Sequence, residues 1–312
     1  MTDKKSTALK DKIKEGEKPH ADHIISGLIH NGQFRVALVD ATDTVIEAQK
    51  RHSLDPLTTI ALGRALVCAA LAGSSFKNQF EYISLGFEGD GPMKSVHAEF
   101  IAPSSLRGFV GVPQLSTVIS PKGPVPEFVG EALGSGTLTV RKALKQGLPY
   151  TGVCEIRSGE IAEDLAHYYL ESEQIPTSVI SGVQLDNQGN VRSAAGLLIQ
   201  KMGSIVDSDS TEILDLMEEK LKNNIAISKH VATGKSIQTI ATEVFGADNV
   251  EILDKRPVGF RCFCSRERMM LGLLKLDSNE LRNIEKEQNK IETVCHYCGE
   301  KYFFSANEFE KH

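Results

Sequence analysis

The chain has 312 residues, of which 41% are apolar and 24% charged. A chain of this make-up can bury a sizeable core, is not disordered throughout, and suggests one large domain with something smaller beside it. Lysine and arginine total 35 against 41 acids, a net charge of −6, which disfavours non-specific nucleic-acid binding outside a local patch.

Residues 1–21 read as a flexible N-terminal extension. Met1 to His20 is rich in lysine and acids and has no apolar run, so it resembles neither a signal peptide nor a transit peptide. Residues 22–205 read as one large mixed α/β core domain. Phe34 to Val39 is strand-like. Asp55-Pro56 opens a helix, with Asp as N-cap and Pro in the first turn, and the small residues Ala61, Ala65, Ala69 and Ala72 predict close packing on a sheet. The apolar stretch Ile60 to Gly73 is interrupted by Arg64 and is too short to span a bilayer.

From Tyr82 to Ile156 the pattern turns to short strands with glycine turns. Gly89-Asp90-Gly91-Pro92 is a turn, and Val96, Ala98 and Phe100 alternate with polar residues, as do Leu138 and Val140. Ser158 is expected to cap a helix from Glu160 to about Ser172. Val179 to Leu185 and Val191 to Gln200 predict a hairpin around Asp186 to Asn190.

Residues 206–256 read as a helical linker with few strand signals. One helix has Asp209 as N-cap, Glu212 in a capping box, and Leu214, Met217, Leu221 and Ile225 along one face. A second starts at Ser236, carries Ile237, Ile240, Ala241, Val244 and Phe245, and stops at Gly246. Both helices must bury an apolar stripe against something.

Residues 257–312 hold four of the six cysteines. Cys262 and Cys264 form a C-x-C pair; about 30 residues later Cys295 and Cys298 form a C-x-x-C pair. Helices are expected from about Arg266 to Leu274 and from Ser278 to Glu287, the second with an Asp277/Glu280 capping box. Four thiols in two close pairs match the all-cysteine zinc pattern. So small a piece has too little core to be secure without a metal. Oxidation would remove the ligands outright, so an oxidant becomes a conformational signal. His296, between two ligands, is expected as a neighbouring ring and not a fifth ligand. Cys68 and Cys154 are expected as structural thiols. No phosphate loop, catalytic triad or metalloprotease motif appears, so the chain is not expected to be an enzyme.

The stretch Phe260-Arg261-Cys262-Phe263-Cys264-Ser265-Arg266-Glu267-Arg268, the Cys295-His296-Tyr297-Cys298 knuckle and Tyr302-Phe303-Phe304 resemble the zinc switch of the redox-regulated 33 kDa chaperonin family. Upstream segments are similar too: Leu62-Gly63-Arg64, Gly89-Asp90-Gly91-Pro92, Leu106-Arg107-Gly108, Ser158 to Asp164, Ser172 to Thr177 and Ala195 to Gln200. They run in order from about Asp22 to Phe304, and the extension before Asp22 departs from the pattern. The resemblance implies an α+β fold: a core domain, a helical linker and a small four-cysteine zinc domain. It implies a cytoplasmic, ATP-independent holdase that responds to stress, with one zinc on Cys262, Cys264, Cys295 and Cys298 when reduced and inactive. Oxidation is implied to form Cys262–Cys264 and Cys295–Cys298 disulfides, release zinc, unfold the linker, and yield a homodimer that binds unfolding client proteins. No nucleic-acid or membrane partner is expected. The competing reading is a structural zinc module binding nucleic acid through Lys275, Arg282, Lys286 and Lys290. Glu280, Glu285 and Glu287 interleave with these and argue for a mixed solvated face. A thiol oxidoreductase using Cys295 and Cys298 would need a thioredoxin-like unit, which this region lacks.

Overall fold

The computed structural model describes residues 21–79, 81–115, 128–145, 148–203 and 227–309. The linker helix expected after Asp209 and the tail before Ala21 lie outside them.

Two antiparallel strands open the fold, β1 (His23–Ile29) and β2 (Phe34–Asp40), followed by α1 (Thr42–His52) and α2 (Pro56–Ala72). Then come β3 (Tyr82–Gly89), β4 (Ser95–Ile101), β5 (Ser105–Val110), α3 (Val129–Leu133), β6 (Gly136–Ala143), β7 (Tyr150–Glu155), α4 (Ala162–Ser172), β8 (Thr177–Leu185) and β9 (Val191–Lys201). The C-terminal part has α5 (Ile227–Ala232), α6 (Ile237–Phe245), β10 (Val250–Pro257), β11 (Gly259–Phe260), α7 (Arg266–Leu273), α8 (Ser278–Gln288), β12 (Ile291–Val294) and β13 (Lys301–Phe304).

The strands form a five-stranded sheet in the order β10-β1-β2-β9-β8, a six-stranded sheet in the order β11-β5-β4-β3-β6-β7, and the small β12-β13 hairpin. The fold is mixed α+β, as the sequence predicts. The expected hairpin is β8–β9.

Helix α2 is the axle of the core. Asp55 caps it, accepting the Thr58 N–H at 3.0 Å, and it packs on β4 and β5 of one sheet and β8 and β9 of the other. With the turn after it, the helix reaches Ser75. Within its 20 residues an 18-residue window has a mean hydropathy of 1.5, enough in length and composition to cross a membrane, yet 83% of that window is buried inside the protein. It is therefore longer than the apolar stretch read from the sequence, because Thr58 and Thr59 are buried as well. The motif segment Leu62-Gly63-Arg64 has a packing reason. A Cβ on Gly63 would lie 2.6 Å from Val183 Cγ2 and 2.9 Å from Val45 Cγ1. Arg64 forms an ion pair with Glu160, joining two motif segments nearly a hundred residues apart in sequence.

Ser158 does not cap α4. Its Oγ accepts the Glu160 N–H, and the helix begins later, at Ala162, after a left-handed Ile161. The Asp164 carboxylate reaches back to the N–H groups of Arg157 and Ser158 at 2.8 and 3.0 Å, so a side chain inside the helix organises the turn before it.

The stretch read as helical linker also contains a strand. β10 pairs with β1 along its length as the edge of the five-stranded sheet. Only Val250 and Arg256 are shielded; Glu251 to Lys255 are exposed, so no inward-outward alternation marks the strand. Three of the five, Glu251, Asp254 and Lys255, are charged, a common guard on an open sheet edge.

α1 lacks a capping side chain of its own. Asp22, at the start of β1, supplies it: its carboxylate accepts the N–H of Asp43 at 2.9 Å and the N–H and hydroxyl of Thr44 at 2.6 Å each. The Asp22 carbonyl also takes the N–H of Val258 at 3.0 Å. Replacing Asp22 with Ala is expected to cost about 1–2 kcal/mol of stability. Thermal unfolding of the two proteins side by side checks this, and an unchanged midpoint contradicts the capping role.

Candidate metal centre

The four C-terminal cysteines are placed by two local structures. Cys262 and Cys264 lie between β11 and α7. β11 extends β5 in parallel register, with the Arg261 N–H on the Leu106 carbonyl at 2.8 Å. Ser265 then starts α7, accepting the Arg268 N–H at 3.3 Å. Cys295 and Cys298 occupy the turn between β12 and β13, where the N–H of Gly299 reaches the Cys295 carbonyl at 2.8 Å. Gly299 adopts a left-handed φ of +71°, and a Cβ there would sit 3.0 Å from the carbonyl oxygen of Arg51 in α1. Glycine both closes the knuckle and lets it approach the core.

Their sulfurs converge. All four Sγ atoms lie within 4.8 Å of one another. Cys262 is 3.7 Å from Cys295, and Cys264 is 3.4 Å from Cys298. Four sulfurs bound tetrahedrally at about 2.3 Å would stand about 3.8 Å apart. The cluster fits a metal ion of that size and softness, and all of its thiols are free. Cys295 and Cys298 are buried, while Cys262 and Cys264 are half-buried. His296 stays outside the cluster, exposed, with its ring edge against Phe109.

Polar neighbours tune the sulfurs. Burial alone would raise the Cys262 thiol, but hydrogen bonds from Cys264, Arg107 and Cys298 outweigh it and hold the group below the ordinary thiol range. Burial pushes Cys295 and Cys298 up. The Tyr302 hydroxyl donates to Cys264 Sγ at 3.1 Å. The two remaining cysteines are unlike these: burial pushes Cys68 up to about 12 and Cys154 to about 11, so both are poor thiolates.

The module's own core is small: Leu281, Ile291, Phe304, Ala306 and Phe309 are its buried apolar residues. The expected helices are present as α7 and α8, and the Asp277/Glu280 capping box forms. Sequence reasoning missed the contacts made from outside the module. His52, Glu99, Arg107 and Phe109 of the core domain all touch the knuckle or its ligands. Leu106-Arg107-Gly108 was a segment of family resemblance without a role, and that was the available signal.

Two sheets around a buried helix, with four converging C-terminal thiols that could hold a metal ion, define a class of α+β protein. Comparison with known proteins narrows it. The family profile described as Hsp33 protein matches residues 22–305. The "33 kDa chaperonin" of Desulforamulus reducens is 34% identical over 290 residues, covering 93% of this chain and 96% of the relative. That of Carboxydothermus hydrogenoformans is 36% identical over 293 residues, covering 94% and 98%. The crystal structure of the 33 kDa chaperonin from Thermotoga maritima superposes with a TM-score of 0.81 at 33% identity, covering 94% of this chain and 97% of that one. The chain belongs to the Hsp33 family, and that membership supports a chaperone role.

Replacing Cys264 with Ser removes one sulfur and the acceptor of the Tyr302 hydroxyl. Affinity for added zinc in a chelator competition is expected to fall about 100-fold or more, since losing even a partner of a ligand costs about 10–100-fold. Unchanged affinity would remove Cys264 from the site.

Proposed function

We propose that this protein is a redox-regulated, ATP-independent holdase, inactive while its four thiolates hold zinc. The observation that carries this reading is the convergence of four sulfurs within 4.8 Å in a module whose apolar cluster, among the described residues, buries five side chains. Zinc, when bound by Cys262, Cys264, Cys295 and Cys298, supplies the tetrahedral node that ties the C-x-C loop to the knuckle; in small zinc modules such a node contributes on the order of 10–16 kcal/mol.

Oxidation acts on the chain's own sulfurs. Cys262 and Cys264 form one disulfide, and Cys295 and Cys298 the other. Each thiolate pair gives two electrons to one peroxide, which takes up two protons and leaves as two waters. Neither disulfide keeps the negative sulfurs that hold the ion, so the site empties and the module unfolds.

The unfolding is passed on through β10, which precedes the module directly. α5 and α6 cover the outer face of the five-stranded sheet. Ile227, Val231, Ile237, Ile240 and Ala241 pack there on Ile25, Ile29, Phe34, Val36, Leu38, Leu197 and Ile199. Release of these helices leaves two apolar surfaces unpaired. Both suit unfolding proteins, whose exposed segments are apolar and varied. Homodimerisation of the oxidised form enlarges the surface. The function needs no catalysis, nucleic acid or membrane, and it belongs in a normally reducing cytoplasm.

Purified protein is expected to suppress aggregation of a heat-unfolding client only after peroxide with mild heat, or after hypochlorite. One zinc and four thiols should be lost together. Equal suppression by the reduced, zinc-loaded form would sink the switch.

Ile240→Glu places a charge against the sheet and costs the docked helix at least about 2 kcal/mol. This variant is expected to suppress aggregation while reduced and still holding zinc. If proteolysis shows α6 released and the reduced variant remains inactive, the helices do not mask the client surface.

A further inference from the structure

Arg107 stands on β5 of the core domain, directly opposite Glu99 on β4. Its Nε and Nη2 donate to Glu99 Oε2 at 2.8 and 2.7 Å. Its Nη1 points the other way, 3.8 Å from Cys262 Sγ, within hydrogen-bond reach of the larger sulfur atom. The guanidinium also lies over the Tyr297 ring, 4.1 Å from its centroid. The Tyr297 hydroxyl closes the circuit by donating to the second Glu99 oxygen at 2.6 Å. The ion pair is only 19% and 12% exposed.

Around this circuit the knuckle is seated on the core by further contacts. The Tyr297 ring stands edge-on to Phe109, centroids 5.3 Å apart. The Tyr297 carbonyl lies 3.2 Å from His52 Nε2 of α1. Two side chains of one core sheet thus touch both cysteine pairs, one through a sulfur and the other through the residue beside a ligand.

We propose that Arg107 is a positioning residue of the metal centre supplied by the core domain, so that docking of the module and retention of its metal stabilise each other. The inference rests on the zinc-switch reading and adds the device that sets how readily the metal is given up. A cation beside a metal thiolate draws off part of its charge, which lowers its reactivity and holds its direction. Glu99 fixes the fork, and the shielded setting strengthens both interactions relative to water. Because coupling between two equilibria is reciprocal, a docked module keeps metal better and a metal-loaded module docks better. Oxidation at Cys262 would then break the docking contact and the metal site in one step.

The test uses the full-length reduced protein and the variants Arg107→Met and Arg107→Lys. Zinc transfer to a colorimetric chelator is followed, and the thiolate-to-metal charge-transfer band is recorded after loading with cobalt. Arg107→Met is expected to release zinc about 10-fold faster, in the usual range for residues supporting a metal ligand. Its cobalt band should move to longer wavelength, because the sulfur has lost a donor. Arg107→Lys restores a cation and should recover most of both effects. Circular dichroism shows whether each variant keeps the fold. Wild-type metal binding with variants that match it in release rate and band position overturns the inference alone. A wild-type protein that binds neither zinc nor cobalt overturns the inference and the switch reading together. Unfolding of Arg107→Met with a normal Arg107→Lys spectrum supports a cation requirement; a Lys variant that is folded yet behaves as Met does overturns it.

Discussion

The last fifth of the chain is organised around the meeting of four sulfurs from two pairs about 30 residues apart. Elsewhere in the protein, burial of apolar surface suffices. The main core gathers side chains from both large sheets around α2. Among the described residues the module's apolar cluster has five buried side chains, and most of the α7 and α8 surface faces water. A group so small cannot offset its chain entropy by burial alone. In the proposed switch its form depends on a site that oxidation dismantles, which separates its stability from that of the core.

Two connections join that site to the rest of the protein. One is covalent and runs backward along the chain. β10 joins the module to α5 and α6, and it is an edge strand whose side chains are mostly in water. Its hold on β1 is chiefly backbone hydrogen bonding, with little apolar area behind it. The second route runs through space. Tyr297 and Arg107 connect the ligand loop to β4 and β5, and β11 adds two residues of parallel pairing to the same edge. The module is therefore held on the core by a few polar and aromatic contacts, and in the proposed switch it comes away there without unfolding the rest.

Local signals were read well. The Asp55 cap, the Ser236 and Gly246 limits of α6, the Asp277/Glu280 box and the β8–β9 hairpin all depend on residues within a few positions of one another. The readings that differed involve distant partners. α4 starts late because Asp164 reaches back to the preceding turn. α1 is capped by Asp22, some twenty residues earlier in the chain. β10 has no alternating pattern because its pairing needs only its backbone and a free edge on β1.

The cysteines show the same division most sharply. Their clustering into two close pairs is written in the spacing, since a metal knuckle is a local turn and its residue types are few. Nothing in that spacing says what lies against the sulfurs. Arg107 and Glu99 alternate in the sequence as ordinary strand residues, and only cross-strand pairing sets them side by side beneath Tyr297. Sequence alone determined which thiols stand as close pairs, because C-x-C and C-x-x-C spacing is short-range. Tertiary structure decided which surface holds the four-cysteine module, because that contact joins residues more than a hundred and fifty positions apart through a sheet edge that exists only after folding.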